Sequence, residues 1–481
     1  MSLSAVFNKA QNIFSNASEQ FFTIVKNIEN SGNKNYVRQD IITVNTGDMT
    51  VAVKQRSENQ NMFEKLLDAK SSAIGQQRLL ESFESLKDIM GTENKYNNSP
   101  SHYMAKLRDS LSVYSNNPST DIFGKQIISD ANALVYNLNT SSKEIQKIRA
   151  GADKEIDIEV SKLKGFLSEL TVVNDQIKFK TVAKHDTHEL LDKRDALLQN
   201  ISEEIGISTI IRNNNDIIIY TSDGTTLFET VPRNINFEKM DLYGATSESK
   251  SVVIDGVKVS IPDQTHTAPK GRIKALLHIR DNVIPMFQNQ LDEISRSLIS
   301  GFSEKDPVAG RSQDVLGLFI ADGLKDPGNK LYKGMSEIIR VNPQYQSNPF
   351  FLRDGGSVSK NHLWNVKGFA EYSGLINHYC DSFNAMFSFD PATGIGTNVS
   401  LLEYAKNSIG WLEKNRSTSH DSRMKNQVVF NHISESYSNT TGVNLQDELS
   451  FLIKVEQSYN ISNKLMMSIN RMLNTLLEGI K

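Results

Sequence analysis

Two histidines lie three positions apart in His185-Asp186-Thr187-His188-Glu189, and they are the residues best placed for metal chemistry. Residues three apart share one face of a helix, so the two imidazoles could bind one metal ion. A zinc site needs a third protein ligand, and the neighbouring sequence offers no obvious one. Because Asp186 and Thr187 are good capping residues, we interpret the segment as the exposed start of a helix.

Other patterns that could indicate catalysis are weaker. Gly394-Ile395-Gly396 lacks the third glycine and the preceding apolar strand of a phosphate-binding loop, so we interpret it as a turn. The single cysteine, Cys380, excludes an intrachain disulfide and a multi-cysteine metal site, and a buried apolar role is favoured over a reactive thiol. The sequence has no nucleophile elbow, P-loop or zinc-helix motif. We therefore predict no enzymatic activity, no cofactor and no metal.

Composition restricts the possible partners and compartments. The chain has 481 residues, which is too long for one hydrophobic core and predicts several domains. Lys and Arg number 53 against 56 Asp and Glu, so the net charge of -3 gives no footprint for nucleic acid or an anionic membrane. We also find no apolar run of about 18 residues and no cleaved secretory signal, so a cytoplasmic location is the default expectation.

The two ends of the chain carry the strongest periodic pattern. In the last stretch, apolar residues recur about every 3.5 positions if one position is skipped at Ser462; they are Leu445, Leu449, Leu452, Val455, Tyr459, Met466, Ile469, Leu473, Leu476 and Ile480. The first residues repeat on the same period, at Leu3, Val6, Ala10, Ile13, Ala17, Phe21, Ile24 and Ile28. We expect these two helices to pair as a left-handed coiled coil, with everything between them inserted as nested domains.

The middle of the chain alternates between helical and strand patterns. A hairpin is expected around Thr46-Gly47-Asp48, followed by helices that include a very long one from Ile127 to Ile177 with its weakest point at Gly151. The period changes to two after Gly206, which indicates strands, and Pro285 should kink or begin a later helix. Residues 306–400 hold five of the 11 prolines and eleven of the 27 glycines, which indicates loops.

The predicted fold is mainly α with β inserts, an α+β multidomain protein with discontinuous nested domains. The predicted domains are the paired terminal helices (1–40 and 441–481), a rod-like helical bundle with a β-hairpin (41–205, 270–305 and 401–440), a small β domain (206–269) and a loop-rich outer insert (306–400).

Several segments resemble a known family. Asn27-Ile28-Glu29-Asn30 with Tyr36-Val37-Arg38-Gln39 resembles the N-terminal signature of bacterial flagellar rod, hook and hook-associated proteins, although Lys34-Asn35 stands where these proteins usually have Pro-Gly. Residues 190–198 (LLDKRDALL) and 280–292 (RDNVIPMFQNQLD) are similar to internal motifs of the hook-associated protein 1 family. Residues 441–459 resemble its C-terminal signature. The resemblance covers Leu3 to about Ser300 and Asn431 to Ile480.

The resemblance implies a structural subunit at the junction between flagellar hook and filament. Such a protein is exported through the flagellar type III apparatus without signal cleavage and lies outside the cell, which replaces the cytoplasmic default. The implied partners are copies of the same chain in a ring or helical lattice, the hook protein, a second hook–filament junction protein and a cytoplasmic export chaperone that would bind the C-terminal helix. The expected assembly-interface residues are Leu3, Val6, Ile13, Phe21, Ile24, Ile28, Leu445, Leu449, Leu452, Tyr459, Ile469, Leu473 and Leu476.

Two other classes of protein remain as alternatives. Another extracellular coiled-coil axial protein or an adhesin would share the heptads but need not share the motifs around Asp192 and Asp281. A metal-dependent hydrolase would use His185 and His188.

Overall fold

The computed structural model describes residues 3–46, 49–91, 96–259, 269–308, 312–324, 328 and 330–478, without the side chains of residues 3–5, 45, 46, 49–51, 476 and 477. The described chain is mainly helical with small antiparallel sheets, which confirms the predicted fold class.

The helices and strands have the following bounds. The α-helices are α1 (Leu3–Glu29), α2 (Gln60–Met90), α3 (Pro100–Asn116), α4 (Asp121–Val182), α5 (His188–Glu204), α6 (Arg272–His278), α7 (Ile284–Gly301), α8 (Met335–Ile338), α9 (Pro343–Ser347), α10 (Phe351–Asp354), α11 (Gly374–Ser382), α12 (Leu401–Thr441) and α13 (Leu445–Glu478). The strands are β1 (Gln39–Thr46), β2 (Met49–Arg56), β3 (Ile207–Ile211), β4 (Ile217–Thr221), β5 (Thr226–Glu229), β6 (Val231–Pro232), β7 (Ile235–Asn236), β8 (Val253–Ile254), β9 (Val257–Lys258), β10 (Phe319–Ala321), β11 (Ile339–Val341), β12 (Met386–Ser388) and β13 (Asn398–Ser400).

The chain forms two compact units, each built from separated segments. The terminal unit contains Met1–Ala73, Leu163–Arg233 and Lys425–Lys481, and the central unit contains Ile74–Lys162 and Asn234–Met424. The segment 206–269, treated above as one β domain, contributes a four-stranded sheet (β3-β4-β5-β6) to the terminal unit and a three-stranded sheet (β7-β8-β9) to the central unit.

The predicted hairpin around residues 46–48 is confirmed, and a second hairpin lies in the region after Gly206 where strands were predicted. Strands β1 and β2 are antiparallel with Ile42 opposite Val53 and Thr46 opposite Met49, so residues 47 and 48 connect them and lie outside the described residues. Strands β8 and β9 are joined by Asp255 and Gly256, whose φ angles are 46° and 85°. Positive φ at both central residues is what a two-residue turn between twisted strands requires.

The core of the central unit surrounds α7. Phe287, Leu291, Ile294 and Leu298 on this helix are at most 1% exposed. The loop-rich segment 306–400 contributes to the same core with the buried side chains Leu318, Phe319, Tyr345, Leu375 and Tyr379. Aromatic contacts reinforce this packing, because the ring of Phe302 lies 5.2 Å from those of Phe319 and Tyr379 and 5.4 Å from that of Phe383.

The long helix is continuous and longer than the sequence predicted. Helix α4 has 62 residues and runs through Gly151 without a break. At 1.5 Å per residue it is about 93 Å long. Its buried apolar residues have the 3–4 spacing that the sequence shows. Burial of this face keeps the helix continuous through Gly151.

A π-helical turn, Ile279–Val283, joins α6 to α7, and Pro285 follows it in the first turn of α7. Because the φ and ψ angles of Val283 and Ile284 remain helical, Pro285 lies where a π-helical turn returns to α-helix within one continuous helical segment, and the alternative that it begins a separate helix is not confirmed. The turn buries Arg280 completely, and its guanidinium bonds Asp281 through Nε at 2.8 Å and also contacts Asp153 on α4. A buried charge is tolerated when it is paired in this way.

Two glycines in helices provide a first test. Gly151 is exposed and an added Cβ would meet no atom within 4 Å, so Gly151→Ala should stabilise the chain by up to about 1 kcal/mol through helix propensity. An added Cβ at Gly75 on α2 would lie 2.0 Å from the backbone oxygen of Pro269, so Gly75→Ala should destabilise it by about 1–3 kcal/mol.

Thermal unfolding followed by circular dichroism measures both effects. We expect a higher midpoint for Gly151→Ala and a lower one for Gly75→Ala than for the parent chain. Equal shifts in the two variants would contradict the packing described for α2 and Pro269.

Candidate assembly surface of the terminal helices

The first and last helices pair with each other, as the sequence predicted. The ring centroids of Phe14 on α1 and Tyr459 on α13 are 4.8 Å apart. Further along, Asn27 on α1 lies 3.1 Å from the carboxylate of Glu448 on α13. Because the later residue on α1, Asn27, contacts the earlier residue on α13, Glu448, the two helices are antiparallel.

The inward face of α13 repeats every seven residues. Its buried or half-buried side chains alternate at spacings of four and three, and they are Glu448, Leu452, Val455, Tyr459, Ser462, Met466, Ile469 and Leu473. We call this set the α13 seam. The position that the sequence pattern skipped is Ser462, which is 5% exposed and lies within the seam. The seam is therefore unbroken, because the Ser462 hydroxyl donates to the carbonyl of Ser458 at 2.8 Å and needs no solvent.

The predicted stripe on α13 was partly wrong at its start. Leu445 and Leu449 are 46% and 45% exposed, whereas the side chain of Glu448 is fully buried between them. Of the other predicted interface residues on this helix, Leu452, Tyr459, Ile469 and Leu473 lie on the seam. The side chain of Leu476 lies outside the described residues, and so does Ile480.

Helix α1 meets this seam with small side chains. Ala10, Ala17 and Ile24 are buried seven residues apart, and the two alanines permit a close approach of the helices. Val6 and Ile28 are half-buried. Ile13 and Phe21, predicted on the same stripe, are exposed in this chain, and the side chain of Leu3 lies outside the described residues.

A buried polar network ties the two helices to the segment that follows α1. The Asn27 amide uses all its hydrogen-bonding capacity: Nδ2 donates to Gln39 O (2.9 Å) and Glu448 Oε2 (3.1 Å), while Oδ1 accepts from Tyr36 Oη (2.7 Å) and Gln39 N (3.1 Å). Arg38 Nε donates to Glu448 Oε1 at 2.6 Å. We call Asn27, Tyr36, Arg38, Gln39 and Glu448 the terminal network.

A second buried ion cluster joins the hairpin to α5. Arg56, with a side chain 5% exposed, donates through Nη2 to Asp192 Oδ1 at 2.8 Å and also to Asp195. Burial opposes the charge on Arg56, but the carboxylates of Asp195 and Asp192 outweigh it and raise the pKa of Arg56 above its ordinary value. The backbone N–H of Val37 donates to Asp192 at 3.4 Å, so this cluster adjoins the terminal network.

Three of the four family signatures thus meet in one place. The N-terminal signature supplies Asn27, Tyr36, Arg38 and Gln39, the internal motif 190–198 supplies Asp192 and Asp195, and the C-terminal signature supplies Glu448. The turn that carries Lys34-Asn35 is made without Pro-Gly: Asn33 O accepts from Tyr36 N at 3.1 Å and Asn33 Oδ1 accepts from Asn35 N at 3.1 Å. Asn33 therefore supplies the turn chemistry.

Apolar side chains remain exposed around the seam. They include Phe22 on α1, Ile42 and Val53 on the outer face of the hairpin, and Ile453 and Met467 on α13. Large apolar patches on an otherwise polar surface are typical of interaction sites. The terminal unit therefore offers a surface suited to association.

The histidine pair is not arranged as a metal site. His185 lies in the loop before α5 and His188 at its first residue, where the Asp186 carboxylate accepts the His188 N–H at 2.9 Å and contacts its ring. Burial alone would raise the pKa of Asp186, but the hydrogen bonds from His188 outweigh burial and lower this pKa. Within the described ranges, no three His, Cys, Asp or Glu side chains are grouped to hold a metal ion.

The other two chemical candidates also have structural roles. Gly394 ends a short helical turn with a φ of 70°, and Asp390 caps that turn by accepting from Ala392 N at 2.8 Å, which confirms the predicted turn. Cys380 is half-buried against the central core, and burial raises the pKa of its thiol to about 11.

None of the helices in the described part of the chain is long and apolar enough to cross a membrane.

The Arg56 cluster generates a second test. Arg56→Met keeps an extended side chain but leaves two largely buried carboxylates without their cation, which should cost about 3–5 kcal/mol. The matched control is Lys193→Ala on the same motif, whose 2.9 Å pair with Glu169 is exposed and should be worth less than about 1 kcal/mol. Urea unfolding followed by circular dichroism compares them. A loss in Arg56→Met no greater than in Lys193→Ala would contradict the structural role of this cluster.

Comparison with known proteins identifies part of the chain. Residues 84–306 match the family described as the flagellar hook-associated protein FlgK helical domain. A solved structure of the flagellar hook junction protein FlgK from Burkholderia pseudomallei is similar with 17% sequence identity and a TM-score of 0.43, over 54% of this chain and 46% of that chain. The match thus spans less than half the length of that protein. Among curated proteins, none matches this sequence. Residues 84–306 are thus similar to the helical domain of the flagellar hook-associated protein FlgK family, which confirms the resemblance to hook-associated protein 1.

Proposed function

We propose that this chain is a structural subunit of the bacterial flagellum that forms the junction between hook and filament by helical self-assembly. The match of residues 84–306 to the FlgK helical domain carries the proposal. The convergence of the terminal signatures on one buried network supports it, because these signatures were the residues that first indicated the family. The proposed role is structural, without catalysis or a cofactor.

The proposed interface residues would act in two ways. Val6, Ile24, Ile28, Leu452, Tyr459, Ile469 and Leu473 have buried or half-buried side chains and would hold the terminal pair together. Ile13, Phe21, Leu445 and Leu449 are exposed and would contact neighbouring subunits. Leu3 and Leu476 are included as interface residues only because the sequence pattern predicts them.

Exposed apolar side chains on α13 supply a driving force for assembly. Ile453, Ile461 and Met467 lie outside the seam and are exposed in the single chain. Fully burying one such side chain contributes about 1.5–3 kcal/mol. A lattice repeats that contribution at every subunit, so a modest patch on one chain becomes a large total in the assembly.

The paired terminal helices suit assembly into a tube. In this proposal the segments 1–40 and 441–481 pack lengthwise with those of neighbouring subunits.

The proposed partners follow from the position at the junction. They are copies of this chain, the hook protein, a second hook–filament junction protein, and a cytoplasmic export chaperone that binds the C-terminal helix before export. The protein would leave the cell through the flagellar type III apparatus and function outside it. The exposed apolar residues of α13 support the chaperone proposal, because an exposed apolar surface tends to aggregate unless a partner covers it before assembly.

The proposed surface is tested by polar substitution. Ile453→Asn with Met467→Gln should leave the chain folded, because both side chains are exposed, but should remove about 1.5–3 kcal/mol of association free energy per site. In a flagellated strain that carries only this copy, we expect hooks without filaments by electron microscopy. Circular dichroism of the purified variant should match the parent.

The control is Leu242→Ser, which changes an exposed apolar residue of the central unit and should leave filaments normal. Normal filaments in the double variant would contradict the proposed surface. Antibody labelling should place the parent protein at the distal ends of hooks in cells without filaments, and labelling confined to the cytoplasm would contradict the proposed function itself.

A further inference from the structure

We propose that Glu448 is the residue that selects the register of the pairing between α1 and α13. The inference goes beyond the flagellar role and rests on the contacts of the terminal helices alone. A buried glutamate in a heptad seam is otherwise unfavourable, because an ionised carboxylate loses its hydration there. Its place in the seam therefore needs a compensating role.

The apolar part of the seam does not define a unique alignment. The first six of the eight α13 seam residues each have another seam residue seven positions further along, so Leu452, Tyr459, Met466 and Leu473 repeat under a slide of one heptad. On α1, Ala10, Ala17 and Ile24 repeat with the same period. A slide of seven residues, about 10.5 Å along the axis, would again place apolar side chains opposite one another.

The terminal network removes this ambiguity. In the observed register, both carboxylate oxygens of Glu448 are used, by Arg38 Nε at 2.6 Å and by Asn27 Nδ2 at 3.1 Å. One heptad further along, the residue brought to this place is Val455, which accepts no hydrogen bond. Asn27 is 1% exposed, so it would lose a partner that water cannot replace.

A slide in the opposite direction has no helix to support it. The position seven residues before Glu448 is Thr441, which ends α12 and precedes the first residue of α13 at Leu445. The slid register with Val455 in the network is thus the competitor that the sequence permits. A polar group at one seam position is an established way to specify register in coiled coils.

A rival explanation lies in the chain connection. Arg38 N–H donates to Thr441 O at 2.8 Å, and α12 joins α13 through only residues 442–444. That contact and the short connection could fix the register without any contribution from the Glu448 side chain. The two explanations predict different outcomes when only the carboxylate is changed.

Engineered disulfides report the register in the full-length chain. With Cys380→Ser as background, Phe14→Cys with Tyr459→Cys reports the observed register, since the contact between the two rings shows that these positions face each other across the pair. Phe14→Cys with Met466→Cys reports the register slid by one heptad. Each pair is combined with Glu448, Glu448→Gln or Glu448→Leu, and the disulfide yield is measured by thiol alkylation and mass spectrometry.

We expect the observed-register disulfide to dominate with Glu448. In Glu448→Leu, the ratio of slid to observed disulfide should rise by about tenfold or more, the effect of losing a charge-assisted hydrogen bond. Glu448→Gln keeps one carbonyl oxygen to accept from Arg38 but turns an NH2 group toward Asn27 Nδ2, so it should restore only part of the original ratio. This rescue separates register selection from the general packing of a side chain at this position.

Two outcomes would overturn the inference. An unchanged ratio in Glu448→Leu would mean that the connection through residues 442–444 fixes the register. Loss of both disulfides in Glu448→Leu would mean that Glu448 is needed for pairing itself and does not choose between registers. Failure of the flagellar proposal would show as antibody labelling confined to the cytoplasm and leaves the disulfide result unaffected.

Discussion

The pairing of the first helix with the last is the constraint on which the terminal unit depends. Asn27 and Glu448 are separated by 421 positions in sequence, so closing this contact costs chain entropy that local structure does not repay. Packing along the seam contributes little stabilising free energy, because α1 has alanines at two of its buried positions and most of α13 is exposed. The closure therefore depends on the terminal network, where buried charge-assisted hydrogen bonds join α1, the segment after it and α13.

Much of this arrangement could be predicted from the sequence, and the failures have a common cause. Heptad spacing predicted the helix pair, and alternating residues predicted the first hairpin and the strands after Gly206. The spacing analysis counted only apolar residues, so it skipped Ser462 and chose Leu449 over Glu448. Both polar residues lie in the seam because particular partners satisfy them: a carbonyl one turn back for Ser462, and Arg38 with Asn27 for Glu448. Apolar periodicity reveals neither case, because it does not register a hydroxyl that bonds its own helix, and the partners of Glu448 come from distant segments.

The same limit applies to the internal motif 280–292. Its apolar residues predicted a helix, but the motif also contains Asp292, which is fully buried and accepts from Gly334 N (2.8 Å) and Ser336 N (2.9 Å). Burial raises the pKa of Asp292, and the hydrogen bonds from Ser336 and Gly334 counteract the shift. This carboxylate thereby fixes the glycine turn before α8 against α7. The charged residues of the motif are thus explained by packing, and sequence spacing alone could not separate that role from a chemical one.

The two units differ in how completely they bury their apolar residues, and this difference bears on function. The central unit encloses α7 and the aromatic cluster around Phe302, so its stability comes from contacts within one chain. The terminal helices keep Phe22, Ile453, Ile461 and Met467 on the surface, and a helix with so little buried area gains most of its stability from whatever it packs against. In the proposed assembly, such a subunit is folded in its middle beforehand and completed at its ends by its neighbours. Under that proposal the register of the terminal pair matters beyond the single chain, because it determines which exposed side chains lie together on the surface that the next subunit would contact.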